Sequence, residues 1–131
     1  MSVERTKKVI DGYLSAEHVA DYLTEDVVFT VMGTGQEYAG HVGVGQMFEY
    51  FYRTAFDATH ETRSMVYGDG KAVWEADFIG KHIGEFAGIP ATGKDVRVPL
   101  CVVYELEGDK IKKARVYMEM PVMLQQLGVT P

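Results

Sequence analysis

The stretch Gly80–Lys94 reads GKHIGEFAGIPATGK, and it decides the fold. An alternating strand pattern runs into it from Ala72. A turn fixed by Gly84, Gly88, Pro90 and Gly93 follows, and strand alternation resumes at Val96. The chain closes on Leu124-Gln125-Gln126-Leu127-Gly128-Val129, a short helix opened by Pro121 and stopped by Gly128. Between these two segments lies Glu119, the carboxylate best placed for chemistry.

Outward from this stretch, the period on either side is two. His60 to Tyr67 and Ala72 to Ile83 read as antiparallel strands joined by Tyr67-Gly68-Asp69-Gly70. Val96 to Leu106 and Lys110 to Met120 form a second pair around Glu107-Gly108-Asp109. Upstream, the period lengthens. Val44, Met47, Phe48, Phe51, Tyr52, Ala55 and Phe56 form one wide apolar stripe on a helix starting near Gly43. Val27 to Val31 is β-branched and aromatic and predicts a strand. Gly33, Gly35 and Gly40 mark the loop after it. Val3 to Leu14 predicts a first helix with Val3, Ile10 and Leu14 on its packed side. Ser15 is placed to cap a short second helix carrying Val19, Tyr22 and Leu23. Helices followed by a meander predict a single α+β domain over 1–131, with helices on one face of a curved antiparallel sheet.

At 131 residues, folding buries roughly two thirds of the unfolded surface, enough for a core and one internal pocket. The net charge of −6 argues against a nucleic-acid footprint and against binding to an anionic membrane surface. No apolar run approaches the roughly 18–20 residues of a membrane span. The start MSVERTKKVIDGYL lacks the apolar core of a signal peptide. Cys101 is the single cysteine and sits in a strand pattern, which fits a small core residue and a reducing compartment. The expectation is a soluble, cytoplasmic protein.

GKHIGEFAGIPATGK resembles the G-T-H-x-G-x-F-x-G-I-P-P-T-G-K segment of the SnoaL-like polyketide cyclases, within the nuclear-transport-factor-2-like superfamily. Gln125-Gln126-Leu127-Gly128-Val129 resembles that family's Q-Q-L-G ending. Asp109-Lys110-Ile111 stands where the family has D-G-K-I, and Tyr38 to Val44 resembles the start of its long helix. The resemblance implies a cone-shaped α+β barrel, a pocket between the concave sheet and the helices, and a homodimer formed by sheet faces. It also implies a general acid/base at the end of the last strand. Six positions before Gln125 this chain has Glu119 where the cyclases carry Asp. Arg115 stands in place of the usual tryptophan and Lys113 in place of a glutamate.

Lys113, Arg115, Tyr117 and Glu119 alternate onto one strand face. If that face is concave, Glu119 sits at the pocket rim with Arg115 one step inward. A guanidinium would lower the carboxyl pKa from its reference of about 4.3, and burial would raise it. The plainer reading is an ion pair, or a solvated strand end. His82 ends the row Trp74, Ala76, Phe78, Gly80. It is either a satisfied core residue or a donor to a substrate oxygen. Trp74, Phe78, Phe51 and Met47 are expected as pocket wall or core. Tyr117 and Tyr13 are candidate phenol donors, and His41 and His60 are expected in solvent near element ends. His18, His41, His60 and His82 lack ligand-like spacing, and there is no paired-cysteine motif, nucleophile elbow or phosphate loop. The base of a ketosteroid isomerase would fall near Val31 or Met32, which cannot take a proton. Two functions are therefore expected in outline. The first is a cofactor-free, metal-free cyclase or isomerase acting on a small apolar carbonyl compound, with Glu119 as acid/base and His82 or Arg115 polarising the oxygen. The second is a small-molecule-binding or dimerising accessory domain without turnover.

Overall fold

The computed structural model describes residues 2–129. Helix α1 (Val3–Leu14) is followed by a 3-10 turn (Val19–Tyr22), strands β1 (Leu23–Val31) and β2 (Gln36–Ala39), and helix α2 (Gly40–Glu49). A π-helical turn (Tyr50–Thr54) then leads into β3 (Phe56–Tyr67). The meander continues as β4 (Lys71–His82), β5 (Asp95–Glu107) and β6 (Lys110–Met118), and α3 (Met120–Gln126) ends it. The α+β expectation holds, with one refinement to the sheet. The strand order is β2-β1-β6-β5-β4-β3, and β1 runs parallel to β6. Short turns make β3 antiparallel to β4 and β5 antiparallel to β6, and the 83–94 segment folds back to set β5 antiparallel to β4. No hairpin links β1 to β6, so nothing local sets that direction.

Ser2 opens α1, its side chain accepting from the Arg5 N–H at 3.1 Å. The packed side of α1 is Thr6, Val9, Ile10 and Tyr13, and Val3 is exposed, contrary to the expected stripe. The second short helix is the 3-10 turn. His18 rather than Ser15 precedes it, and Leu23 already belongs to β1. The α-helix that carries the apolar stripe from Val44 ends at Glu49. The Ala55 N–H reaches back to the Tyr50 carbonyl at 2.8 Å, five residues away, and this wider turn aims Phe51 and Tyr52 at the sheet. Phe56 leaves the helix and starts β3.

The stretch Gly80–Lys94 is a clamp. The Ile83 and Gly84 N–H groups both donate to the Ala55 carbonyl, at 2.9 and 3.0 Å. A Cβ on Gly84 would lie 2.2 Å from the Thr54 carbonyl oxygen, so only glycine allows the approach. The Thr92 N–H donates to His82 Nδ1 at 3.2 Å, and the His82 N–H donates to the Lys94 carbonyl at 2.9 Å. Lys94 Nζ then donates to the Leu127 carbonyl at the end of α3. Gln126 completes the β5 backbone at Arg97. Its Oε1 accepts from the Arg97 N–H at 2.7 Å, and its Nε2 donates to the Arg97 carbonyl at 2.8 Å. The two motifs that carry the resemblance thus hold each other.

One sheet face packs under the helices and holds the core: Phe29, Trp74, Phe78, Leu100, Val102, Tyr104 and Ala114. The opposite face carries ion pairs. Asp77, 1% exposed, accepts from Arg63 Nε and Nη2 at 2.8 and 2.7 Å and from Arg97 Nη1 at 2.7 Å. The Arg63 guanidinium, with Arg97 beside it, holds the Asp77 carboxyl below the usual carboxylate range. That contribution to stability is present at neutral pH and is lost as pH falls through the depressed value. Cys101 is on this face and half-buried, not in the core where the sequence put it.

Candidate functional site

Between the core face of the sheet and the segments α1 and α2 lies a cavity of about 520 Å³. That is the size of a small-molecule site. The central strands contribute their inward residues by simple alternation. β6 gives Val116 and Met118, β5 gives Leu100, Val102 and Tyr104, and β4 gives Trp74 and Phe78. The helical side adds Met47, Phe48, Phe51 and Tyr52. Aromatic rings meet edge to face around the space, as between Phe29 and Phe48 at 5.8 Å and between Tyr52 and Phe78 at 5.3 Å. The charged side chains along it, Glu17, Glu49 and Arg53, are exposed and form its mouth.

The polar groups inside are phenols and one imidazole. Tyr13 and Tyr104 are fully packed, with ring centroids 5.6 Å apart, and burial pushes both phenols upward from their ordinary pKa. Burial also pushes Tyr52 up, to about 12. All three therefore stay protonated at neutral pH and can donate. His60 stands on β3 opposite Phe78, and its ring meets the Trp74 indole edge to face at 4.7 Å. Trp74 is held in turn by its Nε1–H donating to Thr62 Oγ1 at 2.9 Å. Burial lowers the His60 pKa, with no charged partner to offset it, so the imidazole is neutral at pH 7.

Trp74, Phe78, Phe51, Met47 and Tyr13 thus line the cavity. The expected grouping of Glu119, His82 and Arg115 does not form. The predicted alternation in β6 is right, but its charged row faces away from the helices. Val116 pairs with Val102 and Met118 with Leu100 on the cavity side, which turns Arg115 and Tyr117 outward. Arg115 binds Glu105 on that outer face and holds its carboxyl below the usual range, and Tyr117 is 45% exposed. Glu119 is exposed at the start of α3 and does not line the cavity. His82 is fully buried against Phe56, its Nδ1 taken by Thr92. Its role is to hold the clamp. His60, expected in solvent near an element end, is half-buried in the cavity wall, and Tyr104 went unrecognised in the sequence. The signal for His60 was its place in the period-two row Phe56, Ala58, His60, Thr62, which meets the core row of β4 residue by residue. Among the described residues, no group of three or more His, Cys, Asp or Glu is placed to hold a metal ion.

A curved, unclosed six-stranded mixed sheet with helices across one face and an apolar cavity between them defines the nuclear-transport-factor-2-like architecture. The chain belongs to the SnoaL-like polyketide cyclase family, whose model matches residues 8–127. Solved structures agree on the fold. A putative SnoaL-like polyketide cyclase from Jannaschia sp. CCS1 matches with a TM-score of 0.84 at 14% identity, over 98% of this chain and 94% of that one. AclR, a putative hydroxylase from Streptomyces galilaeus, matches at 0.80 and 20% identity, over 100% and 89%. IdmH, a putative polyketide cyclase from Streptomyces antibioticus, matches at 0.73 and 23% identity, over 95% and 99%. No curated protein sequence matches the chain.

Proposed function

We propose that the cavity binds a small, flat, largely apolar carbonyl compound of the polyketide kind, and that the protein acts on it without a cofactor. The observation that carries this reading is the cavity of about 520 Å³, walled by aromatic, aliphatic and methionine side chains with neutral phenols inside. Such a wall stabilises a flat apolar ring system by burial, while protonated phenols give a carbonyl oxygen its hydrogen bonds. Family membership and the names of IdmH and the Jannaschia protein support the same class of ligand. The exposed position of Glu119 outside the cavity favours a second reading, binding without turnover.

Trp74 is the sole tryptophan and lines the cavity, so its emission reports occupancy directly. Titration with α-tetralone, a flat bicyclic aryl ketone, is expected to quench that emission saturably at one molecule per chain. Emission that stays flat up to the solubility limit would contradict the ligand site.

The reading extends to assembly and setting. Among the described residues the outer sheet face carries no helix and presents Tyr117 and the Asp77 ion cluster, and it is proposed as the surface on which two copies meet. Light scattering is then expected to give twice the 14.6 kDa chain mass, and a single-chain mass at micromolar concentration would refute the dimer. No helix among the described residues is long and apolar enough to cross a membrane. With one thiol and no disulfide partner for it, a reducing, cytoplasmic setting fits.

A further inference from the structure

We propose that His60 is the proton-transferring residue of this cavity, acting on the carbon α to a bound carbonyl while the Tyr52 phenol donates to the carbonyl oxygen. This inference rests on the ligand site proposed above and names the chemistry done there.

The carboxylates along the cavity, Glu17 and Glu49, are at its mouth in solvent, and Glu49 is within 3.9 Å of Arg53. Glu119 lies elsewhere, and His82 is sealed under Phe56 with Nδ1 engaged. The phenols hold their protons. Inside the cavity, His60 is thus the group that both accepts and releases a proton near neutral pH.

Its setting suits the task. Two aromatic rings fix it, Trp74 at 4.7 Å and Tyr52 at 6.3 Å, both edge to face. It is half-buried, and its pKa is displaced by burial alone, with no hydrogen-bond or charge partner contributing. His82 by contrast has Nδ1 engaged by Thr92 and its Nε2 sealed in the core without a partner among the described residues, out of a ligand's reach. His60 keeps its nitrogens for a ligand. The groups that face it are the neutral Tyr52 and Trp74, with Glu17, Glu49 and Arg53 further out at the mouth.

In the step itself, a ring nitrogen takes the α proton. The C–H electron pair becomes the enolate double bond, and the carbonyl π pair moves to oxygen. The Tyr52 hydroxyl donates to that oxygen. Return of the proton from imidazolium to carbon, or to a second carbonyl oxygen after carbon–carbon closure, restores the protein. Nothing is oxidised and no other reactant is needed.

The test is hydrogen–deuterium exchange at C2 of α-tetralone in D2O, followed by proton NMR. The wild-type protein is expected to accelerate exchange. The rate should rise with pH through one ionisation below the ordinary imidazole value of about 6.5 and then level. His60→Gln should slow exchange by about 100-fold or more, while the Trp74 titration still saturates. Glu119→Gln should leave both unchanged. Exchange at the wild-type rate in folded His60→Gln would overturn the proposal, as would a wild-type protein that binds the ketone without accelerating exchange. Failure of Trp74 quenching would instead overturn the ligand site itself, and the proposal with it. NMR titration of the His60 ring protons in the wild-type protein needs no variant. A kinetic midpoint more than about one pH unit from the His60 midpoint would also refute the assignment.

Discussion

Phe56→Ala is expected to cost about 3–5 kcal/mol of folding stability. Phe56 is fully buried where the π-helical turn becomes β3. Its ring meets Phe78 at 5.3 Å, His82 at 5.2 Å and Phe86 at 5.2 Å. Those three belong to the cavity wall, the clamp histidine and the turn that the clamp closes. Truncation removes the ring's burial and leaves a void that the fixed backbone around Gly80 and Gly84 cannot fill. A Cβ at either glycine already meets its neighbour at under 3 Å, so these segments have no slack to move inward. Against a total stability of roughly 5–15 kcal/mol, the loss takes a large share. Urea unfolding should show a much lower midpoint with an unchanged slope. A loss under about 1 kcal/mol would mean that the clamp does not depend on this ring.

Val102→Phe is expected to weaken α-tetralone binding at least about tenfold and leave the fold standing. Val102 sits on the cavity floor between Trp74 on β4 and Val116 on β6. A larger side chain in a filled core costs about 1–3 kcal/mol through forced strain. Here the added ring projects into open volume, so the ligand loses its space and the protein keeps its packing. Unchanged quenching of Trp74 by the ketone in this variant would place the ligand outside the cavity. A protein that fails to fold would show that the space is already full.

The architecture was legible because the recognisable motifs are scaffolding. Gly84 is glycine because the Thr54 carbonyl lies where a Cβ would go, and Gln126 is glutamine because its amide completes the backbone of Arg97. Lys94 closes α3, and Gly128, at φ +84°, packs against that lysine. Such contacts dictate residue types whatever the ligand, so they report the fold and carry little about chemistry.

The site was harder to read for two physical reasons. First, β6 is amphipathic in both senses. Lys113, Arg115 and Tyr117 make a polar row suited to a pocket floor, and Ala114, Val116 and Met118 make an apolar row suited to a core. Which row faces the helices follows from pairing with Val102 and Leu100, a long-range register that one strand's sequence does not contain. Second, His60 lies among the charged and polar residues of an edge strand. Its inward direction follows only once β3 is aligned on β4, with an extra residue near Arg63 shifting the register. The π-helical turn was likewise hidden, because Tyr50-Phe51-Tyr52 is as compatible with a continuing α-helix.

The central claim is that ligand chemistry belongs to the cavity between His60 and Tyr52, away from the C-terminal carboxylate. The crystal structure of the α-tetralone complex tests it most directly. The ketone is expected against Trp74 and Phe78, with its oxygen within hydrogen-bonding distance of Tyr52 and its C2 facing the His60 ring. A ketone bound beside Glu119, with the cavity empty, would contradict the account.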